Sequence, residues 1–432
     1  MRAKRSLAWH PGVVRTLFLV ALLAGGLGAA RADELKLVII LTRHGVRSPL
    51  QTNADLAKIA PQPWPEWETA PGIQTPRGNQ LIALMGDYYR QRFLQAGLLT
   101  GDPMVDGPRI FVRADNDQRT IETARLLAKA LVPVGEPVMH SPPEGTVDPL
   151  FRAFNAHVGH SSPEVATGAV LGRLGGDPAV VDRAYAGALA ELDTVLYGPG
   201  GHPPADRPPT AVGTGSKHYL VSLQGRLLTA LQATDSFILQ YADGKPDVGW
   251  GRVDGKVLTD LLALHELYFE LADRTFYPAQ VEGSNLASHI VDTMEQAALG
   301  EPVPGAFGDP EEKVVILGGH DSNQANIGGL FGLNWWIDGT QANPMLPGGA
   351  LLFEVWKSSD PAGSFFIRTS YVAQTLDQER AAAVLSLDHP PGRSPIFVPG
   401  CSGPGPNFDA PLKAFVRQAR KVIDPAFIAP ED

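Results

Sequence analysis

The sequence predicts an α/β protein: a sheet domain with helices on both faces, interrupted by a mainly helical insert. Three observations carry that prediction. Short apolar runs pass directly into polar turns and then into helix-start signals at three places, near residues 35–47, 109–119 and 313–321. Between the second and third of these, over residues 163–299, the apolar spacing becomes helical. Strand-like runs return afterwards, at residues 351–356 and 365–372.

The N-terminus reads differently from the rest. Arg2, Lys4, Arg5 and Arg15 precede an apolar run at residues 17–27, and Ala30-Arg31-Ala32 supplies the small-x-small pattern of a secretory leader. A membrane anchor is the rival reading. It requires about 20 apolar residues, and this run is shorter and is broken by Gly25, Gly26 and Gly28. The expectation is cleavage near Ala32, a mature chain starting near Asp33, a periplasmic or secreted location, and no anchor after cleavage.

Residues 35–41 (Leu-Lys-Leu-Val-Ile-Ile-Leu) have the continuous apolar character of a central strand covered on both faces. Only Thr42 separates them from Arg43-His44-Gly45. A Trp/Pro-rich loop follows, with Trp64 and Trp67 expected in the core or cleft wall, as are Trp335 and Trp336. Thr75 and Pro76 then form an N-cap and first-turn signal for a helix carrying Leu81, Leu84, Met85 and Tyr88. Residues 109–113 predict a second strand, and Asp115-Asn116-Asp117 can cap a helix over residues 118–131. Helical spacing is read at Leu220, Leu223, Leu227 and Leu231 and again at Val257, Leu261 and Leu264, beyond a Pro/Gly-rich connector at 198–215. Residues 313–317 form a third strand running through Gly318-Gly319 into His320-Asp321. The two later strands are expected to extend the sheet at its edge. The implied division is an α/β unit made of residues 33–150 and 301–432 that flanks residues 151–300 as a mainly helical insert.

The 432 residues are 44% hydrophobic and 19% charged, ordinary globular values. Loss of residues 1–32 removes five basic residues and no acidic ones, moving the formal charge from −10 to −15. Such a surface repels nucleic acid and anionic lipid, so neither is expected as a partner. It also repels anionic substrates unless arginines are concentrated locally. Cys401 is the single cysteine, so core packing rather than intramolecular disulfides must hold the fold.

In open α/β sheets ligands collect beyond the carboxyl ends of the strands. The three strand ends offer Arg43, His44 and Arg47, then Arg119, then His320 and Asp321. Guanidinium forks suit a tetrahedral oxyanion, and several together neutralise it without a metal. No ligand-rich metal spacing and no cofactor motif is read. A histidine beside a bound phosphoryl group can attack it, and Asp321 is the one carboxylate of the set placed to protonate a leaving alcohol, more readily at acid pH. Taken singly, each signal has an ordinary structural reading as a strand-end polar residue, a surface arginine or a tight Gly-Gly turn. Their coincidence at three strand ends favours a site.

Arg43-His44-Gly45-Val46-Arg47-Ser48-Pro49 and His320-Asp321-Ser322-Asn323 resemble the two signatures of the histidine acid phosphatases, most closely those of bacterial periplasmic phytases and glucose-1-phosphatases. Thr75-Pro76-Arg77-Gly78, Gln118-Arg119-Thr120, Asp148-Pro149-Leu150-Phe151, Gly249-Trp250-Gly251-Arg252, Pro347-Gly348-Gly349 and Gln374-Thr375-Leu376 extend the likeness over nearly the whole mature chain. The resemblance implies a phosphoglycerate-mutase-like sheet domain, with the helical insert of residues 151–300 forming the other wall of the cleft. It implies His44 as nucleophile, Asp321 as proton donor, and Arg43, Arg47, Arg119 and His320 as phosphate-binding residues on a small-molecule phosphomonoester such as a sugar phosphate or an inositol phosphate. Two departures stand out. The several disulfides of bacterial relatives are missing, and Leu50-Gln51 stands where phytases of the group carry Thr-Lys. A phosphotransferase or mutase and a non-catalytic phosphate-binding protein remain the alternatives; oligomeric state is not readable.

Overall fold

In the computed structural model the described residues are 32–430, apart from 136, 137, 206, 217 and 218. All but the last residue of the expected leader lies outside that set. Nine strands are formed: β1 (Glu34–Arg43), β2 (Ile110–Ala114), β3 (Ala211–Ser216), β4 (Tyr219–Gln224), β5 (Val314–Gly319), β6 (Ala350–Lys357), β7 (Phe365–Ala373), β8 (Gly392–Pro395) and β9 (Ala410–Pro411). The main sheet runs β2-β5-β1-β6-β7-β8, with β9 also on β7, while β3 and β4 form a separate hairpin. β5 is parallel to both β1 and β2, so the three chemistry-bearing segments leave the sheet on one side. β6 and β7 turn antiparallel.

Alternation along β1 explains the two-sided core. Leu37, Ile39 and Leu41 enter one buried cluster, and Val38 and Ile40 enter the other. A register shift against β6 between Leu35 and Leu37 puts Leu35 on the second face as well. That second face is covered by α1 (Pro76–Gln95) and α2 (Gln118–Leu131), through Ile82, Met85, Tyr89 and Leu127. Beside the first face, α3 (Arg226–Ala242), α4 (Gly255–Ala272), α5 (Phe276–Leu299) and α6 (Asp321–Phe331) join the strand residues in one continuous apolar cluster, α5 and α6 lying directly against β1. Helices therefore cover both faces of a mixed sheet, the α/β class read from the sequence. Among the described residues no helix is long and apolar enough to cross a membrane.

Three expectations are corrected. β6 lies between β1 and β7 rather than at the edge, consistent with the complete burial of Ala350, Leu351, Leu352, Phe353 and Val355. Leu220 and Leu223 belong to β4, not to a helix; Gly225 (φ 70°) ends the strand and only Leu227 and Leu231 continue into α3. A side chain at Gly225 would meet the Pro209 carbonyl oxygen at 1.9 Å, so the break is built into the sequence. Trp336 is exposed, whereas Trp64 and Trp335 are in the core.

The start of α1 is set as expected. Thr75 Oγ1 accepts from the Gly78 N–H at 2.9 Å, and Pro76 opens the first turn. Gly78 is required because a β-carbon there would lie 2.2 Å from the Val46 carbonyl oxygen, inside the loop that carries Arg47. Gly78→Ala should therefore lower the unfolding free energy by about 1–3 kcal/mol. Gly168→Ala, in the helix Pro163–Arg173 with open space around it, should instead raise it by about 0.5–1 kcal/mol. Urea unfolding at pH 5 distinguishes the two; equal effects would contradict the packing described.

Candidate active site

β1 ends at Arg43, and its continuation is clamped between two neighbours. The Arg43 N–H donates to the Gly349 carbonyl at 2.9 Å, the His44 N–H to the Gly319 carbonyl at 3.0 Å, and the Gly348 N–H to the His44 carbonyl at 3.0 Å. Gly319 must lack a side chain, since a β-carbon would meet Asn323 Oδ1 at 2.8 Å and the Phe151 ring at 3.0 Å. The Gly-Gly pairs at 318–319 and 348–349 thus bring three chain segments close enough to fix His44.

The His44 ring is buried and its Nδ1 lies 2.9 Å from the Gly45 carbonyl oxygen. A carbonyl only accepts, so Nδ1 carries the proton and Nε2 is left with its lone pair. Burial, reinforced by the charges of Arg119, Arg47, Arg43 and His320, holds the ring well below the usual imidazole range. The imidazole is neutral, as a nucleophile must be.

The guanidinium groups converge around it. Arg43, fully buried, donates through Nη1 to the Met345 carbonyl, and its Nη2 lies 3.3 Å from Asp235 and 3.2 Å from Asp321. Arg47 Nη2 reaches the other Asp235 oxygen at 3.2 Å. Arg119 Nη2 donates to Asp117 at 2.7 Å and its Nη1 to the Gly72 carbonyl at 3.4 Å. Burial and the neighbouring Arg47 and Arg152 lower the Arg119 pKa to about 10 despite Asp117, so it stays charged. The Nε atoms of Arg43, Arg47 and Arg119 are buried without partners, leaving donor capacity.

His320 is the N-cap of α6, and its N–H donates to Asn323 Oδ1 at 2.9 Å. Its ring centroid lies 5.7 Å from that of His44, in edge-on orientation. His320 Nε2 is 2.7 Å from Asp115 Oδ2. Burial lowers its pKa and the Arg119 charge adds to that, against an opposing pull from Asp115. Asp321 follows as the first residue of α6. Burial would raise its carboxyl, but Arg43 and Arg47 hold it down to about 2. Acid pH favours the protonated form, as read from the sequence, but the ion pair with Arg43 moves that protonation to the lower end of the acid range.

The structure brings all six expected residues, Arg43, His44, Arg47, Arg119, His320 and Asp321, to one crevice. It adds four that were missed. Arg152 donates through Nε to Asp115 at 2.8 Å and through Nη2 to Asp117, with Nη2 also 3.4 Å from His320 Nε2. Asp117 occupies the N-cap position of α2 but makes no capping hydrogen bond, because its carboxylate serves Arg119 and Arg152. Asp115, Asp117 and His320 bring three ligand-type atoms within 4.8 Å of one another, a cluster the sequence spacing did not reveal. The Arg152 guanidinium already supplies its cation. Asp235, from α3, is the fourth. It was legible as the lone acid of a helix that is otherwise apolar and neutral apart from Arg226. Arg152 directly follows the Asp148-Pro149-Leu150-Phe151 stretch already singled out.

A neutral buried imidazole among guanidinium groups, at the carboxyl ends of three parallel strands, defines a phosphatase of the histidine class. The chain belongs to the histidine phosphatase superfamily (branch 2), whose sequence profile matches residues 34–186. It is 34% identical to Phytase AppA of Escherichia coli (strain K12) over 392 residues, covering 86% of this chain and 89% of that one. It is 27% identical to a glucose-1-phosphatase of Providencia rettgeri, over 84% of this chain and 86% of the relative. Among solved structures, the Hafnia alvei phytase in complex with tartrate superposes with a TM-score of 0.85 at 33% identity, covering 92% of this chain and 99% of that one. The protein is an enzyme that hydrolyses phosphomonoesters.

The charges of the site and its surroundings set a pH window for stability. Asp321, lowered to about 2, contributes stability that is present above the unfolded carboxyl range and lost as pH falls from about 4 through 2. Glu282 is raised by burial from 4.5 to about 7, so its contribution is full below 4.5 and lost as pH rises through 7. Glu379, fully buried with both carboxylate oxygens unpartnered, is held well above its ordinary range by burial and acts in the same direction. His44 and His320, held neutral by burial, act the other way, costing stability as pH falls below the free imidazole range. Glu379→Gln should therefore make Tm fall less, or rise more, between pH 5 and 8 than in the unaltered protein; an identical pH profile of Tm would contradict this balance.

Proposed function

We propose that His44 Nε2 attacks the phosphorus of a bound phosphomonoester, with Arg43, Arg47, Arg119 and His320 holding the phosphoryl oxygens. The observation that carries this reading is the His44 Nδ1 contact with the Gly45 carbonyl, which leaves Nε2 unprotonated inside a ring of guanidinium groups. As the N–P bond forms, the bond from phosphorus to the leaving oxygen breaks and Asp321 passes its proton to that oxygen. Water then attacks the phosphohistidine, breaking the N–P bond, and gives a proton to Asp321; phosphate leaves with that proton as Asp321 pairs again with Arg43, and both residues return to their starting states.

Asp321 needs its first proton from somewhere, because in the free protein it is ionised. Phosphoryl oxygens that engage Arg43 and Arg47 withdraw the charge that holds its pKa near 2. A monoanionic ester, the form that prevails at acid pH, brings a proton with it. Acid activity then follows from the protonation state of the substrate rather than from that of free Asp321.

The reading is of a metal-independent, exported acid phosphatase acting on small-molecule phosphomonoesters of the kind its relatives' names describe, sugar or inositol phosphates. The α/β unit would comprise residues 33–150 and 301–432. Residues 151–300 would form the opposite wall of the cleft, which Asp235 supports by reaching across to Arg43 and Arg47.

His44→Ala should reduce kcat/KM for p-nitrophenyl phosphate by at least about a thousandfold. Asp321→Asn should cost about 10²–10⁴-fold on alkyl phosphates and far less on p-nitrophenyl phosphate, whose leaving group needs no proton. Equal losses on both would remove Asp321 from the proton-donor role. EDTA should leave activity intact; inhibition reversed by added divalent metal would refute the metal-free mechanism.

A further inference from the structure

Arg152 belongs to none of the three strand ends, yet its guanidinium group joins two of them. Its Nε donates to Asp115 Oδ2 at 2.8 Å and its Nη2 to Asp117 Oδ2, and Nη2 is also 3.4 Å from His320 Nε2. Each of these aspartates has a second partner. Asp115 Oδ2 lies 2.7 Å from His320 Nε2, and Asp117 Oδ2 accepts from Arg119 Nη2 at 2.7 Å. One planar fork thus holds, at one remove, a histidine and an arginine that the phosphohistidine reading places on the phosphoryl oxygens.

The backbone that carries Arg152 is anchored separately. The Arg152 N–H donates to the Asp148 carbonyl at 2.8 Å, and Asp148, buried, pairs with Arg113 at 2.6 Å. Asn323 Nδ2 donates to the Phe151 carbonyl at 2.8 Å while its Oδ1 accepts the His320 N–H, so one side chain sets both the residue before Arg152 and the start of α6. The fork therefore reaches out from a fixed point.

The two carboxylates need such a cation. Asp115 and Asp117 place oxygens within 4.8 Å of one another and of a His320 nitrogen. Like charges at that separation push apart, and without Arg152 they would turn negative potential towards an arriving phosphoryl group. Burial would raise the Asp115 carboxyl, but His320 and Arg152 hold it well below its usual range, so it is ionised over the ordinary acid range. A carboxylate only accepts, so Asp115 keeps a proton on His320 Nε2 and leaves Nδ1 as the nitrogen that can face a phosphoryl oxygen.

We infer that Arg152 is a positioning residue for phosphate binding: by clamping Asp115 and Asp117 it fixes the orientation of His320 and Arg119. This rests on the phosphohistidine reading above and adds to it a residue from outside the two signature motifs. With 36% of its side chain exposed, Arg152 can be replaced without opening a cavity in the core.

The test measures kcat and KM for p-nitrophenyl phosphate and the Ki of inorganic phosphate at pH 5, with Tm as the check on folding. It compares Arg152→Met, Arg152→Lys, Asp117→Asn and the Arg152→Met/Asp117→Asn double variant, with His44→Ala as control. Arg152→Met should raise KM and the phosphate Ki at least about tenfold and change kcat less than about threefold, because the clamp acts on the groups that hold phosphate. Arg152→Lys keeps the charge but not the fork, and should recover only part of that affinity. The loss in the double variant should fall at least about threefold short of the product of the single losses, since both substitutions break one clamp. An unchanged Ki in a folded Arg152→Met variant, a loss confined to kcat, or full recovery by lysine would overturn the inference. Losses that multiply would make Arg152 an independent substrate contact and overturn the positioning role. If Arg152→Met does not fold, Arg152→Lys and Arg152→Gln carry the same comparison. Absence of His44-dependent release from the unaltered enzyme would overturn the phosphohistidine reading together with this inference, whereas the other contrary outcomes leave that reading standing.

Discussion

Guanidinium groups crowded into one buried crevice repel one another and lose their hydration, and no fold holds them there without counter-charges at fixed positions. The pairing of four arginines with four aspartates is the constraint on which the rest of the site depends. It dictates where chain segments must meet. Arg43 and Arg47 come from the end of β1 and its loop, their carboxylate partner Asp235 from α3, and Asp321 from the start of α6. The sheet and the helical stretch are thus joined by charge at the site and by one continuous apolar cluster behind it. A change at Asp235 acts on Arg43 and Arg47 together.

The same charges divide the work between the two reacting groups. Positive potential depresses the basicity of both His44 and Asp321, with opposite consequences. It keeps the imidazole neutral and ready to attack. It also keeps the carboxyl ionised and unable to donate. On the proposed mechanism the site before substrate is half prepared, and the arriving phosphoryl anion completes it by neutralising the field that holds Asp321 ionised. Catalytic competence and phosphate recognition then become one electrostatic event.

Much of this was legible in the sequence because strand ends are. Apolar runs that stop at Arg43, at Ala114 and at Gly319 mark where backbone and side chains converge, and six site residues lie within a few positions of those stops. What escaped was what depends on tertiary contact. Asp115 and Asp117 look like ordinary helix-start acids, and nothing local distinguishes a capping carboxylate from one that serves an arginine. Leu220 and Leu223 keep a helical spacing only by accident of a strand running into a helix through Gly225. The central place of β6 was hidden because an antiparallel neighbour, buried on both faces, reads like any other apolar strand.

Unpaired buried carboxyls give the fold its acid bias. Glu379 sits near Arg43 without hydrogen bonding to it, and Glu282 and Asp273 have carboxyls raised by burial. Each is tolerable when protonated and costly when charged. With its one cysteine free, the fold rests on packing and on these protonation states. The pH at which the buried acids are neutral is also the pH at which phosphomonoesters carry the proton that Asp321 requires. On the proposed mechanism stability and turnover are drawn to the same acid range by separate groups, so a substitution can shift one without the other: Glu379 affects the tolerance of the fold to neutral pH, while Asp321 and its arginines act on the reaction.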